Sequence, residues 1–205
     1  MEIKVLPLGD IQANCYLIST EKAAVVIDPG FQSIDVTNFL KNASDKERLI
    51  LLTHSHFDHI SGAEALRNDT DTKIAIGTLD NYALSDSRYS LADLFHANFT
   101  PFSADILVED GEEITVGDVT FNCLYTPGHT VGGMCYLTDK MLFSGDTLFC
   151  RSIGRTDFFG GSFEALENSV KKLYTILQED IVVLPGHGER TTIGQEKLEN
   201  PYIRG

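Results

Sequence analysis

Four short apolar runs in this chain break in the same way: each gives out into a polar loop that carries a histidine or an aspartate. Ile50-Leu51-Leu52 leads through Thr53 into His54-Ser55-His56-Phe57-Asp58-His59, and Cys123-Leu124-Tyr125 leads to Thr126-Pro127-Gly128-His129. Met141-Leu142-Phe143 leads to Ser144-Gly145-Asp146, and Ile181-Val182-Val183-Leu184 leads to Pro185-Gly186-His187. Runs this short, rich in branched residues and closed by turn formers, predict buried strands. A sheet fixes the spacing of its strand ends and leaves the loops free to vary, so side chains at neighbouring carboxyl ends meet in one crevice. The chain is thereby constrained to a sheet-based fold with its chemistry along one sheet edge.

The same reading places strands at 14–19, 23–27, 48–52, 73–76, 114–116, 119–125, 134–137, 141–143 and 181–184. Helical spacing occupies 34–40, 60–66 and 163–177, the last with Phe163, Leu166, Val170, Leu173 and Leu177 on one stripe behind Ser162 as N-cap. Strands and helices alternate in the first half and a strand-rich meander follows, which predicts an α/β fold of mixed sheets covered by helices. No composition break, low-complexity tract or charge block divides the chain, so one domain over residues 1–205 is expected. Residues 79–106 read as helical pieces under a loop, with no chemistry assigned to them.

Three imidazoles and a carboxylate within six residues supply the donors that borderline divalent ions such as zinc, iron and manganese accept. The Pro-Gly pairs before His129 and His187 fix turns that aim each imidazole back over the sheet, and Asp146 reads as a bridging carboxylate. His54, His56, Asp58, His59, His129, Asp146 and His187 make five histidines and two aspartates. One tetrahedral zinc with three protein ligands and a water cannot use all of them, whereas two ions sharing a carboxylate and a water can. Two divalent metal ions are therefore the expected cofactors, with zinc first and iron or manganese as alternatives. A structural zinc module without turnover would need only four donors. The sixth histidine, His96, has no ligand partner nearby in sequence and reads as a surface or packing residue. Asp28, before Pro29-Gly30, reads as a turn former or as a partner that orients a ligand imidazole, and Thr53 has the same two readings.

Charge narrows the partners. Lys and Arg number 16 against 30 Asp and Glu, a formal charge of −14, which argues against nucleic acid and requires any anionic substrate to find cations within the site itself. No run approaches the roughly 20 apolar residues that span a bilayer, and the first ten residues carry no secretory cleavage pattern. The four cysteines form no Cys-x-x-Cys pair and read as reduced, buried thiols, so a cytoplasmic location is expected.

At these residues the sequence closely resembles the metallo-β-lactamase-fold superfamily, whose His-x-His-x-Asp-His hallmark is written here as His54 to His59, followed by His129, Asp146 and His187. The resemblance implies a four-layer αββα sandwich of two mixed sheets flanked by helices. It also implies one ion at His54, His56 and His129, another at Asp58, His59 and His187, and Asp146 between them. Gly145-Asp146-Thr147-Leu148-Phe149 and Gly154-Arg155-Thr156-Asp157-Phe158 are similar to the glyoxalase II-like branch. That similarity implies hydrolysis of a small-molecule thioester such as a hydroxyacylglutathione by a water ionised at the metals. Asp58 and Asp146 would be the catalytic carboxylates, and Arg155, with Arg151 beside it, would bind the substrate's carboxylate. Two departures stand out: the sequence stops soon after His187, short of the C-terminal helical region of glyoxalase II, and Asp157 replaces an expected aromatic residue. The stretch from Arg151 to Phe158 also resembles the persulfide dioxygenase branch, which implies a single iron at His54, His129 and Asp146.

Overall fold

The computed structural model describes residues 1–205 and arranges them around two six-stranded sheets packed face to face. In the first half, β1 (Glu2–Leu8), β2 (Ala13–Ser19) and β3 (Ala23–Ile27) form an antiparallel meander. Helix α1 (Ile34–Lys41) then leads to β4 (Glu47–Leu52), and α2 (Phe57–Ile60) with α3 (Ala63–Thr70) leads to β5 (Ile74–Gly77). A 3-10 helix over Thr78–Ser85 and a long loop precede β6 (Ile106–Val108). The first sheet runs β1-β2-β3-β4-β5-β6, parallel from β3 onward.

The second half builds the other sheet from β7 (Glu113–Val116), β8 (Val119–Tyr125), β9 (Met134–Thr138) and β10 (Met141–Gly145). A small hairpin of β11 (Leu148–Phe149) and β12 (Ser152–Ile153) follows, then α4 (Phe163–Ile176), β13 (Val182–Pro185), β14 (Thr191–Thr192) and α5 (Ile193–Glu199). Its strand order is β14-β13-β10-β9-β8-β7, and the α4 crossover makes β10 and β13 parallel.

Alternation along the strands sends side chains into three buried layers. Tyr16, Ile18, Val25, Ile27 and Leu51 meet Phe121, Met134, Tyr136 and Phe143 between the sheets. Cys15, Leu17, Val26, Ile50 and Leu52 face outward onto Val36 and Leu40 of α1 and Leu66 of α3. Leu142 and Val183 face Val170 and Leu173 of α4 and Ile193 of α5. The fold is the expected αββα sandwich, and β3 is buried throughout because both of its faces are covered. Ser162 caps α4 as expected, its side chain accepting from Ala165 N at 3.2 Å.

Several elements depart from the sequence reading. The helix expected over 60–66 is two, α2 and α3, because Gly62 N donates to the Pro29 carbonyl at 2.9 Å instead of continuing the helical ladder, an approach that any Cβ at that position would block. The first of the two starts inside the hexapeptide, at Phe57. Strand β1 was not expected, since Pro7 interrupts its apolar pattern; it is an exposed edge strand, where a missing N–H is tolerated. Strands β6, β11, β12 and β14 are too short to show periodicity, and α5 holds only two buried residues. Cys15, Cys123 and Cys135 are buried and free, while Cys150 is only half-buried.

Candidate metal centre

Strands β3, β4, β8, β10 and β13 all end at the same edge of the sandwich. Strands β3 and β4 are parallel neighbours in one sheet, as are β10 and β13 in the other. β8 lies two antiparallel steps from β10 and so runs the same way. Their first loop residues bring Asp28, His54, His129, Asp146 and His187 together, while α2 turns His56, Asp58 and His59 back over the same spot. Two glycines permit the close approach. Gly145 takes φ +48°, and a Cβ there would collide with Thr53; a Cβ on Gly186 would collide with Asp146 Oδ1.

The seven donors fall into two groups. His54, His56 and His129 present their ring nitrogens to one another, with His56 Nδ1 2.8 Å from His129 Nε2. Asp58, His59 and His187 form the second group: His187 Nε2 is 3.2 Å from Asp58 Oδ2 and 3.3 Å from His59 Nε2. Asp146 lies between them, with Oδ1 3.4 Å from His59 Nε2 and Oδ2 3.5 Å from His129 Nε2 and 3.6 Å from His187 Nε2. Donors about 2.0–2.1 Å from one tetrahedral ion stand about 3.3 Å apart; His187 meets Asp58 and His59 at that spacing, and His56 and His129 stand closer, at 2.8 Å.

Unsatisfied buried atoms test the fit independently. Six buried side-chain polar atoms lack a hydrogen-bond partner, and two of them, His54 Nε2 and Asp146 Oδ1, are donor atoms of this cluster. A buried lone pair without a partner costs about 1–3 kcal/mol, and a cation between the groups removes that cost. The outer nitrogens are already engaged. His129 Nδ1 donates to the Arg155 carbonyl at 2.7 Å and His59 Nδ1 to Asp28 Oδ2 at 2.9 Å, so in both rings Nε2 is the inward nitrogen, a ligand once it carries no proton. The residues fit a divalent cation in each group.

The buried charges of the cluster bias one another's protonation. Burial, reinforced by the neighbouring imidazoles, holds His54 well below the ordinary histidine value, and burial does the same for His56. Burial also disfavours charge on His59, but Asp146, Asp58 and Asp28 together outweigh it and raise that imidazole to about 10. Burial opposes ionisation of Asp58 as well; His59 and His187 overcome it and hold the carboxylate well below its usual range.

Asp28 proves to be an orienting residue. It sits at φ +51°, accepts from Thr53 N at 2.8 Å and the Thr53 hydroxyl at 2.6 Å, and meets His59 as described. Asp80 carries a role the sequence reading did not assign. Buried in the 3-10 helix, it accepts from Ser55 N at 3.0 Å and Gly132 N at 2.7 Å, tying the hexapeptide to the His129 loop. A lone Asp in an irregular segment gave no signal in one dimension; only the fold brings those two loops to it. His96 is exposed and belongs to none of the donor groups, as expected.

A cleft of about 390 Å³ opens over the donors, lined by His56, Asp58, His129, Asp146 and His187 and walled by apolar side chains. Arg155 lines it, but its guanidinium is paired to Asp157 at 2.7 and 2.8 Å and stacked 3.8 Å from the Phe158 ring centroid. Arg151, expected beside it, does not line the cleft. Its left-handed backbone turns the guanidinium outward onto Glu199 at 2.8 Å.

Comparison with known proteins agrees with this geometry. The family model described as "Metallo-beta-lactamase superfamily" matches residues 8–187. A curated relative, hydroxyacylglutathione hydrolase GloC of Haemophilus influenzae, is 35% identical over 99% of this chain and 98% of its own. The crystal structure of BLEG-1 B3 metallo-beta-lactamase superposes with a TM-score of 0.90 at 37% identity, covering all of both chains. That of TTHA1623 in a di-iron-bound form gives 0.86 at 31% identity, over 98% of this chain and all of the other.

Proposed function

The chain belongs to the metallo-beta-lactamase superfamily, and we propose that within it the protein is a dinuclear thioester hydrolase. The observation that carries this reading is the position of Asp146, 3.4–3.6 Å from His59, His129 and His187 and thus shared between two donor groups. A single iron held by His54, His129 and Asp146 would leave His56, Asp58, His59 and His187 converging without a purpose. The thioester itself is supported by the similarity to GloC, whose name gives a hydroxyacylglutathione as its substrate.

A pair of divalent ions, most simply zinc, would lower the pKa of a shared water towards about 7 and polarise the substrate carbonyl. Within that site the chain's own groups set the geometry. Asp58, kept ionised by His59 and His187, accepts a hydrogen bond from the attacking water and aims its lone pair at the carbonyl carbon. Asp146 keeps the two donor groups at a fixed separation. The Arg155 carbonyl and the Asp28 carboxylate hold His129 and His59 in the tautomer that faces inward. Water adds to the carbonyl and the C–S bond breaks. The acyl group becomes a carboxylic acid and the sulfur departs as a thiolate, which needs no protonated side chain since thiol pKa values lie near about 8.5; the other proton of the water passes to solvent.

The test is a panel of thioesters together with a β-lactam, assayed on protein reconstituted with zinc, iron or manganese. Thioester turnover dependent on two equivalents of metal supports the reading. Turnover of the β-lactam alone, the activity in BLEG-1's name, or oxygen uptake with a persulfide and one iron, would replace it.

A further inference from the structure

Outside the metal donors, the cleft is built as a hydrophobic wall. Phe158 stands edge-on to His56 with centroids 6.0 Å apart, Phe95 meets Phe158 at 6.1 Å, and Phe57 stacks on Phe95 at 5.1 Å. Buried Leu91 packs behind Phe57, and Phe149 faces His187 from the opposite side at 6.1 Å. Two of these rings come from the metal-bearing loops and two residues from the irregular stretch after the 3-10 helix, so that stretch has a use: it closes one side of the site.

Charge in the cleft points the same way. Arg155 is the one Lys or Arg among the lining residues; Asp157 engages its Nε and Nη2 edge and Phe158 its plane, which leaves Nη1 as the free edge. A carboxylate reaching it would meet a guanidinium whose charge Asp157 already offsets, in a protein whose formal charge is −14. A hydroxyl pressed against the Phe95 and Phe158 ring faces would exchange water for apolar surface.

We infer that the wall formed by Phe57, Leu91, Phe95 and Phe158 is the acyl pocket, and that it takes an apolar acyl group, a medium alkanoyl or aryl chain, in preference to a 2-hydroxyacyl or carboxylate-ended one. This rests on the thioesterase reading above and names the substrate class of the same site. The thiol carrier, the more polar partner, leaves through the open mouth. Burying successive methylenes against such rings favours the longer chain, each contributing up to about tenfold or more in specificity.

The test uses metal-reconstituted protein and thioesters of N-acetylcysteamine, a small neutral thiol, so that only the acyl group varies. Octanoyl is expected to exceed lactoyl in kcat/KM by about tenfold or more. The octanoyl-to-lactoyl ratio is expected to fall at least about tenfold in Phe158→Ala, and to fall in Phe95→Ala, whose parent side chain is 44% exposed. Asp157→Asn, which frees the guanidinium, is expected to raise succinyl turnover relative to octanoyl. Calorimetric binding of the ketone in which CH2 replaces the octanoyl thioester sulfur provides a readout independent of turnover, expected to weaken about tenfold in Phe158→Ala. A lactoyl preference with ratios unmoved by either Phe variant, or ketone binding indifferent to Phe158, overturns the inference. Absence of thioester turnover with Phe158-dependent ketone binding leaves the apolar pocket standing and removes the thioesterase reading.

Discussion

The carboxylate of Asp28 accepts from Nδ1 of His59 at 2.9 Å. The same oxygen accepts the Thr53 hydroxyl at 2.6 Å, and that hydroxyl lies 3.0 Å from Nδ1 of His54. With its proton given to Asp28, Thr53 Oγ1 can only accept from His54, which turns His54 Nε2 inward as a lone pair. One carboxylate behind the site therefore orients an imidazole in each donor group. Asp28→Asn is expected to weaken zinc binding by about 10–100-fold while the chain stays folded. Competition against a chromogenic chelator measures it, and an unchanged affinity would contradict the relay.

Metal binding is expected to release protons. In the metal-free protein His59 stays protonated up to about 10, and its inward nitrogen must lose that proton to become a ligand. Apparent zinc affinity should rise with pH between about 6 and 9, and calorimetry in buffers of different ionisation enthalpy should show about one proton or more released per chain. The sign for stability is opposite. A folded pKa of about 10 against an unfolded value near about 6.5 stabilises the metal-free protein fully below about 6.5, and that stabilisation is lost as pH rises through about 10. Melting temperatures in chelator should fall over that window.

Asp80→Ala removes the one acceptor shared by Ser55 N and Gly132 N. Two buried N–H groups lose a charged partner, so a loss of about 3 kcal/mol in urea unfolding is expected. Wild-type stability in that variant would mean that the two loops hold together without it.

Gly186→Ala should spare the fold and damage the centre. The added methyl would press on Asp146 Oδ1 and the His59 ring. Zinc affinity is expected to drop about tenfold or more, with the melting temperature of the chelated protein shifted by only a few degrees. Retained affinity would mean that Asp146 has room to move.

Most of the centre could be read in one dimension because its donors sit at strand ends, where apolar runs give way to Pro-Gly or Ser-Gly turns. His129 and His187 share that arrangement, and the hexapeptide compresses four donors into one loop and one turn of helix. What escaped the sequence depends on contacts between distant segments. Asp80 joins residues 25 and 52 positions away. The engagement of Arg155 by Asp157 and Phe158 was invisible too, since neighbours in sequence do not disclose a shared rotamer. Arg151 failed for a backbone reason, φ +56°, which an arginine rarely adopts and which sends its side chain to Glu199 instead of the cleft. The break at Gly62 was hidden because Phe57, Ile60 and Leu66 mimic a continuous helical stripe.

The most direct measurement is the stoichiometry of metal binding. Chelator-treated protein is titrated with zinc, and bound metal is counted by elemental analysis for the wild type, His54→Ala, His187→Ala and Asp146→Ala. Two ions per chain in the wild type, one in each histidine variant and weakened binding of both in Asp146→Ala is the predicted result. A single ion in the wild type, unaffected by His187→Ala, would contradict a shared two-cation centre.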